Sequence, residues 1–399
     1  MLRVLTTHPS EEVIRMRVRF PHPQPRTELE TINSTTLVDL SASAEHLRRD
    51  AGRGPAGGVA VIGAGNVGAA VANSLVLLGV VDRIVLYNRR LARAQGEAWD
   101  IADGTPMHRS AEIVATDDWE DLGEADAVVL AVGTLMRPGQ SRLEERNEDL
   151  VRHAIEHLDV VAPDAVVVIV TNPVDVMTRI AQETSTRPWH RILGTGTVLD
   201  TARLRHGLAR RLGVDAANAH IHVIGEHGDS SFPAWSTATV GPVPLAAFPL
   251  PEGQDLEALK TDCAALTRDR GRDVLARKGH TSAGIAVAVS RILESVLRDR
   301  RRIYTVSTRA LAEYGVGEQA VLSLPCVIGR DGVMRRLPLA LDRDEYRQLE
   351  RAAHVLETAY SSARSRSSAR SSPAPAPSST STPQTTPASP EDSSAPQPD

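Results

Sequence analysis

Cysteine, lysine and aromatic side chains are all scarce in these 399 residues: two cysteines, two lysines and 3 % aromatics. Cys263 and Cys326 are too few for a disulfide framework or a four-cysteine zinc site, so a reducing compartment and no metal are expected. No uninterrupted run of about 18 apolar residues occurs, and even LVLLGVVDRIVL is broken by charge, which argues against a membrane-spanning helix. The opening MLRVLTTHPSEEVIRMRVRF has no apolar core of a secretion signal, and a cytoplasmic location is expected. A net charge of −5 gives no general attraction to nucleic acid or an anionic membrane. With lysine confined to Lys260 and Lys278, arginine carries nearly all the positive charge, and Val, Leu, Ile and Ala must do most of the packing.

What is present falls into four stretches. Residues 1–56 mix a strand-like alternation, EEVIRMRVRF, with the breakers PHPQP and GRGPAGG, and form an extension without an assigned role. In residues 57–195, the aliphatic runs at 58–62, 83–87, 127–131 and 165–170 read as buried parallel strands separated by amphipathic helices. That alternation predicts an α/β fold, a Rossmann-type doubly wound parallel sheet. Residues 196–360 change spacing, with helices near 200–212, 254–278 and 282–300 and a hairpin turn at Gly329–Gly332, and read as a mixed α+β catalytic domain. Residues 361–399, rich in Pro, Ser and Thr, lack large apolar side chains to offset the entropy of ordering and are expected to be disordered.

The turn Gly63-Ala64-Gly65-Asn66-Val67-Gly68 follows the first strand and opens a helix, the setting that gives a G-x-G-x-x-G match its meaning. Gly63 permits the tight turn, Gly65 lets a pyrophosphate approach backbone N–H groups, and Gly68 allows helix and strand to touch. Beyond the second strand, where a carboxylate would grip the adenosine ribose, stand Asn88, Arg89 and Arg90. Asparagine can still bond a hydroxyl, and the two arginines would tolerate a 2′-phosphate, so NAD and NADP both stay open.

Three further segments carry chemistry: Thr171-Asn172-Pro173-Val174-Asp175, Leu199-Asp200-Thr201-Ala202-Arg203-Leu204-Arg205 and Gly225-Glu226-His227-Gly228-Asp229-Ser230. Together with the glycine turn, and in this order, they resemble the L-lactate/malate dehydrogenase family, closer to L-lactate dehydrogenase, over about Gly58 to Tyr360. The resemblance implies that a nicotinamide cofactor, NAD first, exchanges hydride with an L-2-hydroxy acid, most simply lactate. His227 would be the proton donor, a role suited to a group that titrates near neutrality. Asp200 would orient His227 and stabilise its imidazolium, while also suiting a helix N-cap. Arg203 would clamp the substrate carboxylate. Asn172 would contact substrate, and Thr171, Gly133 and Asn147 the cofactor.

Residues 133–142 resemble the loop that closes over substrate, with Arg142 polarising the carbonyl. Asn147 follows Arg142 by two residues fewer than in relatives, leaving Arg137 and Arg146 as alternatives. Met136 stands where family members usually carry Gln for lactate or Arg for malate, which disfavours a second carboxylate and suits lactate or a larger apolar acid. Arg137 beside it could still serve a dicarboxylate. Thr281 matches the residue lining the substrate side-chain pocket. Arg205 and His220 match a fructose-1,6-bisphosphate site of allosteric bacterial members, and a homo-oligomer, dimer or tetramer, is expected. Malate dehydrogenase and a catalytically silent dinucleotide-binding protein are the competing expectations.

Overall fold

The computed structural model describes residues 57–107, 110–133, 143–317 and 319–371. The N-terminal extension and the last residues of the tail lie outside them.

The first half contributes β1 (Gly58–Ile62), β2 (Arg83–Tyr87), β3 (Glu112–Thr116), β4 (Ala125–Leu130), β5 (Val166–Ile169) and β6 (Ile192–Gly194). Helices α1 (Asn66–Leu77), α2 (Leu91–Gly104), α3 (Leu143–Val161) and α4 (Val174–Thr184) alternate with them. The strands pair in parallel in the order β3-β2-β1-β4-β5-β6, the doubly wound arrangement. Their aliphatic runs are continuous because helices cover both faces; Val59, Val61, Val128, Val129, Val167 and Val168 are fully buried. Strand order reverses between β1 and β4, which opens a crevice at their carboxyl ends.

Two of these strands have no counterpart among the aliphatic runs. β3 is an edge strand, half-buried over most of its length, and β6 is only three residues long. Neither therefore needs a long Val/Ile run.

The second half contains α5 (Val198–Leu212), α6 (Leu256–Lys278), α7 (Ala283–Leu297) and α8 (Arg343–Ser371). Its short strands are β7 (Ala219–His220), β8 (Val223–Ile224), β9 (Phe232–Pro233), β10 (Thr239–Val240) and β11 (Val243–Pro244). Longer antiparallel strands follow: β12 (Arg302–Arg309), β13 (Val321–Gly329) and β14 (Gly332–Arg336), the last two joined by the expected hairpin. Leu204, Leu208, Ile221, Val223, Leu259 and Cys263 form a separate smaller core between α5, α6 and the short strands. The halves nonetheless share one sheet: β12 joins β6 antiparallel, Ser307 opposite Gly194, and carries β13 and β14 outward.

Residues 361–371 depart from expectation, and the rest of the tail lies outside the described residues. Disorder was expected from residue 361, but α8 continues to Ser371. Leu349, Ala352, Ala353, Leu356, Tyr360 and Ala363 recur at helical spacing and are buried. Alanine suffices at Ala363 because the helix lies close to α4, where the Arg179 guanidinium sits 3.6 Å from the Tyr360 ring centre and the Tyr360 hydroxyl donates to Glu183.

Candidate active site

The glycine turn sits at the switch point. Gly63 has φ +108°, and a Cβ there would come within 2.6 Å of the Ala131 carbonyl oxygen just beyond β4. A Cβ on Gly68 would fall 1.9 Å from the Gly63 oxygen, so α1 reaches the strand only through that glycine. Gly65 is exposed with nothing within 4 Å of an added Cβ, at the start of a helix with no side-chain cap. Gly65 and Asn66 are open to solvent, Val67 is half-buried, and the first N–H groups of α1 are available to an anion. These residues fit a dinucleotide pyrophosphate.

The ends of β4 and β5 line the same crevice. Thr171 is buried and donates its hydroxyl hydrogen to the Val132 oxygen at 2.7 Å, tying the two strand ends together. Asn147, near the start of α3, donates to the Asn172 carbonyl at 2.9 Å, and an added Cβ on Gly133 would lie 3.7 Å from Asn147 Oδ1. The Asn172 side chain is exposed.

α5 presents Asp200 and Arg203 on one face, three residues apart. The Asp200 carboxylate is bridged on both sides: Arg203 Nη1 donates to Oδ1 at 2.9 Å, and His227 Nδ1 lies 2.8 Å from Oδ2. Burial opposes the charge on Asp200, but the hydrogen bonds and charges of His227 and Arg203 outweigh it and hold the carboxyl below its ordinary value. For His227, burial alone would favour the neutral ring. The hydrogen bond and charge of Asp200, reinforced by Asp175, overcome burial and the Arg203 charge, and raise its pKa. With Nδ1 turned to Asp200, the other ring nitrogen is the one to face a reactant.

Sequence reasoning assigned Asp175 no part. Its side chain accepts the His227 backbone N–H at 2.7 Å and the Ser307 hydroxyl at 2.6 Å, with Ser323 at 3.4 Å. Asp175 is buried, and burial raises its pKa against the bonds from Ser307 and the His227 N–H. The available signal was a charge inside the apolar opening of α4, Val174-Asp175-Val176-Met177, where every residue is buried.

Thr281 is half-buried just before α7, whose Gly284 meets Leu199 beside Asp200; an added Cβ there would stand 3.1 Å from Leu199 Cδ1. Arg205 turns away from Arg203 and donates to the Ile221 carbonyl at 3.0 Å, with exposed His220 adjoining. Between them His222 is pulled down to about 4, by burial first and then by the charges of Arg205 and His220. Met136, Arg137 and Arg142 lie outside the described residues, as does the Arg146 side chain. Among the described residues no group of three or more His, Cys, Asp or Glu could hold a metal ion.

Comparison with known proteins gives a consistent picture. A family model described as the lactate/malate dehydrogenase NAD binding domain matches residues 58–194, and its alpha/beta C-terminal counterpart matches residues 197–365. The L-lactate dehydrogenase of Moorella thermoacetica is 39 % identical over 308 residues, covering 76 % of this chain and 96 % of that protein. The L-lactate dehydrogenase of Deinococcus radiodurans is 41 % identical over 307 residues, covering 75 % and 96 %. Among solved structures, a lactate dehydrogenase from a Medee basin deep-sea metagenome library superposes with TM-score 0.73 at 31 % identity, covering 78 % of this chain and all of that one.

Proposed function

The chain belongs to the lactate/malate dehydrogenase family, and from that premise we propose that it interconverts L-lactate and pyruvate with a nicotinamide dinucleotide. The observation that carries this reading is the single carboxylate of Asp200 holding both His227 and Arg203. When bound, the dihydronicotinamide supplies the hydride. Arg203 keeps one nitrogen on Asp200 and offers the rest of its planar fork to the substrate carboxylate. The second ring nitrogen of His227, Nε2, gives its proton to the ketone oxygen, and Asp200 stabilises the imidazolium present before transfer. Asn172 and Thr281 contact the substrate, and Arg142 polarises its carbonyl.

Pyruvate is favoured over oxaloacetate because Met136 offers no cation to a second carboxylate. A screen of the purified protein with pyruvate, oxaloacetate and branched 2-oxo acids tests this choice, and pyruvate is expected to give the highest kcat/KM. A tenfold preference for oxaloacetate, about 1.4 kcal/mol, would assign malate instead.

The pair Arg205 and His220 is read as the seat of fructose-1,6-bisphosphate activation, for which activity titrated with that ligand is the test. The protein is read as a cytoplasmic homo-oligomer, dimer or tetramer. Exposed Trp99, at 65 %, is a large apolar side chain on α2 suited to a subunit contact, and sedimentation measures the assembly. Among the described residues no helix is long and apolar enough to cross a membrane.

A further inference from the structure

The far end of the dinucleotide site, where the adenosine ribose would lie, has the reverse of the usual polarity. Gly63 N–H donates to the Tyr87 carbonyl at 2.9 Å, so the residue after Tyr87, Asn88, adjoins the phosphate turn. Asn88 is fixed there by its own N–H, which donates to the Thr116 carbonyl at 3.0 Å. Its side-chain oxygen accepts the Arg90 N–H at 3.0 Å. That local turn engages one lone pair of the oxygen, while the two amide hydrogens are the donors that Asn88 can offer a ligand. Arg89 and Arg90 are exposed, and among the described residues neither has an ion-pair partner. A third guanidinium, Arg93, is drawn to the turn by donating to the Ala64 carbonyl at 3.0 Å, and its charge is met by Glu97 at 2.7 Å. The first turn of α2 contains no acidic residue. Asp117 and Asp118 follow β3 and act on the Tyr87 phenol, and Asp121 accepts the Thr116 hydroxyl, so opposing charges also stand in this corner.

A ribose 2′-hydroxyl needs an acceptor, whereas a 2′-phosphate carries about −1.5 to −2 charges and needs donors and cations. Asn88, Arg89 and Arg90 supply the second set. Resting on the reading that the Gly63–Gly68 turn holds a dinucleotide, we propose that Asn88-Arg89-Arg90 forms a 2′-phosphate subsite and that the protein binds NADPH more tightly than NADH. Arg89 and Arg90 provide the charge. Asn88 provides the neutral floor that a carboxylate would make repulsive.

The test measures binding without turnover, by calorimetry on the full chain at low salt. Adenosine 2′,5′-bisphosphate and adenosine 5′-monophosphate differ only in the 2′-phosphate, and the bisphosphate should bind about tenfold tighter, with the advantage shrinking as salt rises. Arg89→Ala combined with Arg90→Ala should abolish that advantage. Asn88→Asp should reverse it, and should invert the NADPH:NADH ratio of kcat/KM measured with pyruvate. Equal or weaker binding of the bisphosphate, with the monophosphate still bound, overturns this inference alone. Failure of both nucleotides and of NADH to bind overturns it together with the dinucleotide reading.

Discussion

Replacing Asp200 by asparagine tests the electrostatics of the site at nearly constant shape. One carboxylate oxygen faces His227 Nδ1 at 2.8 Å and the other faces Arg203 Nη1 at 2.9 Å. A carboxamide has one accepting and one donating side, so no orientation satisfies both neighbours. With its oxygen toward His227, its NH2 opposes the guanidinium, donor against donor. Turned over, it presents NH2 to Nδ1, which selects the neutral ring and opposes the imidazolium. The lost charge adds to this: opposite unit charges about 4 Å apart attract by about 4 kcal/mol at an effective dielectric constant of 20. His227 is 32 % exposed, so solvent screening reduces the effect to about 2 kcal/mol at the lower limit. That range corresponds to a loss of roughly 30- to 1,000-fold in kcat/KM for pyruvate reduction. The assay is steady-state oxidation of the reduced dinucleotide across pH. In the proposed reaction reduction requires protonated His227, so wild-type activity should fall as pH rises through its raised pKa, and the fall should move to lower pH in Asp200→Asn. A variant within about threefold of wild type, with its pH profile unmoved, would refute this account of the carboxylate.

Four other substitutions probe neighbouring links. Arg203→Lys keeps the charge but removes the planar fork; KM for pyruvate should rise about tenfold or more, while dinucleotide affinity measured by fluorescence stays constant. Asp175→Ala leaves the His227 N–H and the Ser307 hydroxyl without their buried acceptor, and denaturant titration should show a loss of about 2–4 kcal/mol. Because the folded pKa of Asp175 is raised, its contribution to stability is complete below the unfolded value near 3.9 and is lost as pH rises through the folded value. Asp175→Asn should therefore gain on wild type as pH increases. Gly194→Ala would put a Cβ 2.3 Å from Thr178 Oγ1 and 2.7 Å from Ser307 Oγ, so stability should fall by about 1–3 kcal/mol and kcat should fall with it. A destabilised variant with unchanged kcat would show that Ser307 does not help position His227.

Much of this was legible in the sequence for identifiable reasons. Strands buried on both faces must be continuously aliphatic, so β1, β2, β4 and β5 announce themselves, whereas the edge strand β3, written EIVAT and half-exposed, does not. The glycine turn was readable because each glycine answers a separate steric demand: a positive φ at Gly63, open approach at Gly65 and contact with the strand at Gly68. His227, Asp200 and Arg203 were readable as residue types in ordered motifs. The bridging of both partners by one carboxylate was not, because it depends on how the turn after β8 docks against α5. Asp175 escaped for a related reason: its partners Ser307 and Ser323 stand more than 130 residues away in sequence and have no chemistry of their own to attract notice. The final helix escaped because alanine, read as composition, resembles a disordered tail, and becomes a packing residue only where another helix lies close.

The shared sheet shows how a histidine on a loop can be held in the defined position that its proposed role in proton transfer demands. Gly225 and Ser323 exchange backbone hydrogen bonds at 3.1 and 2.7 Å, which fastens the chain two residues before His227 to β13. Asp175, from the first turn of α4, then holds the His227 N–H and reaches Ser307 on β12. Ser307 in turn stands opposite Gly194 on β6, the last parallel strand of the dinucleotide-binding half. Side chains alternate faces along a strand, so a one-residue slip of β12 against β6 would turn Ser307 away from Asp175. The backbone of His227 is thus set by the register between the two halves, and its ring by Asp200 on α5. Separate docked domains would leave that alignment to a flexible interface. One continuous sheet ties the proposed proton donor to the domain matched by the NAD-binding family model.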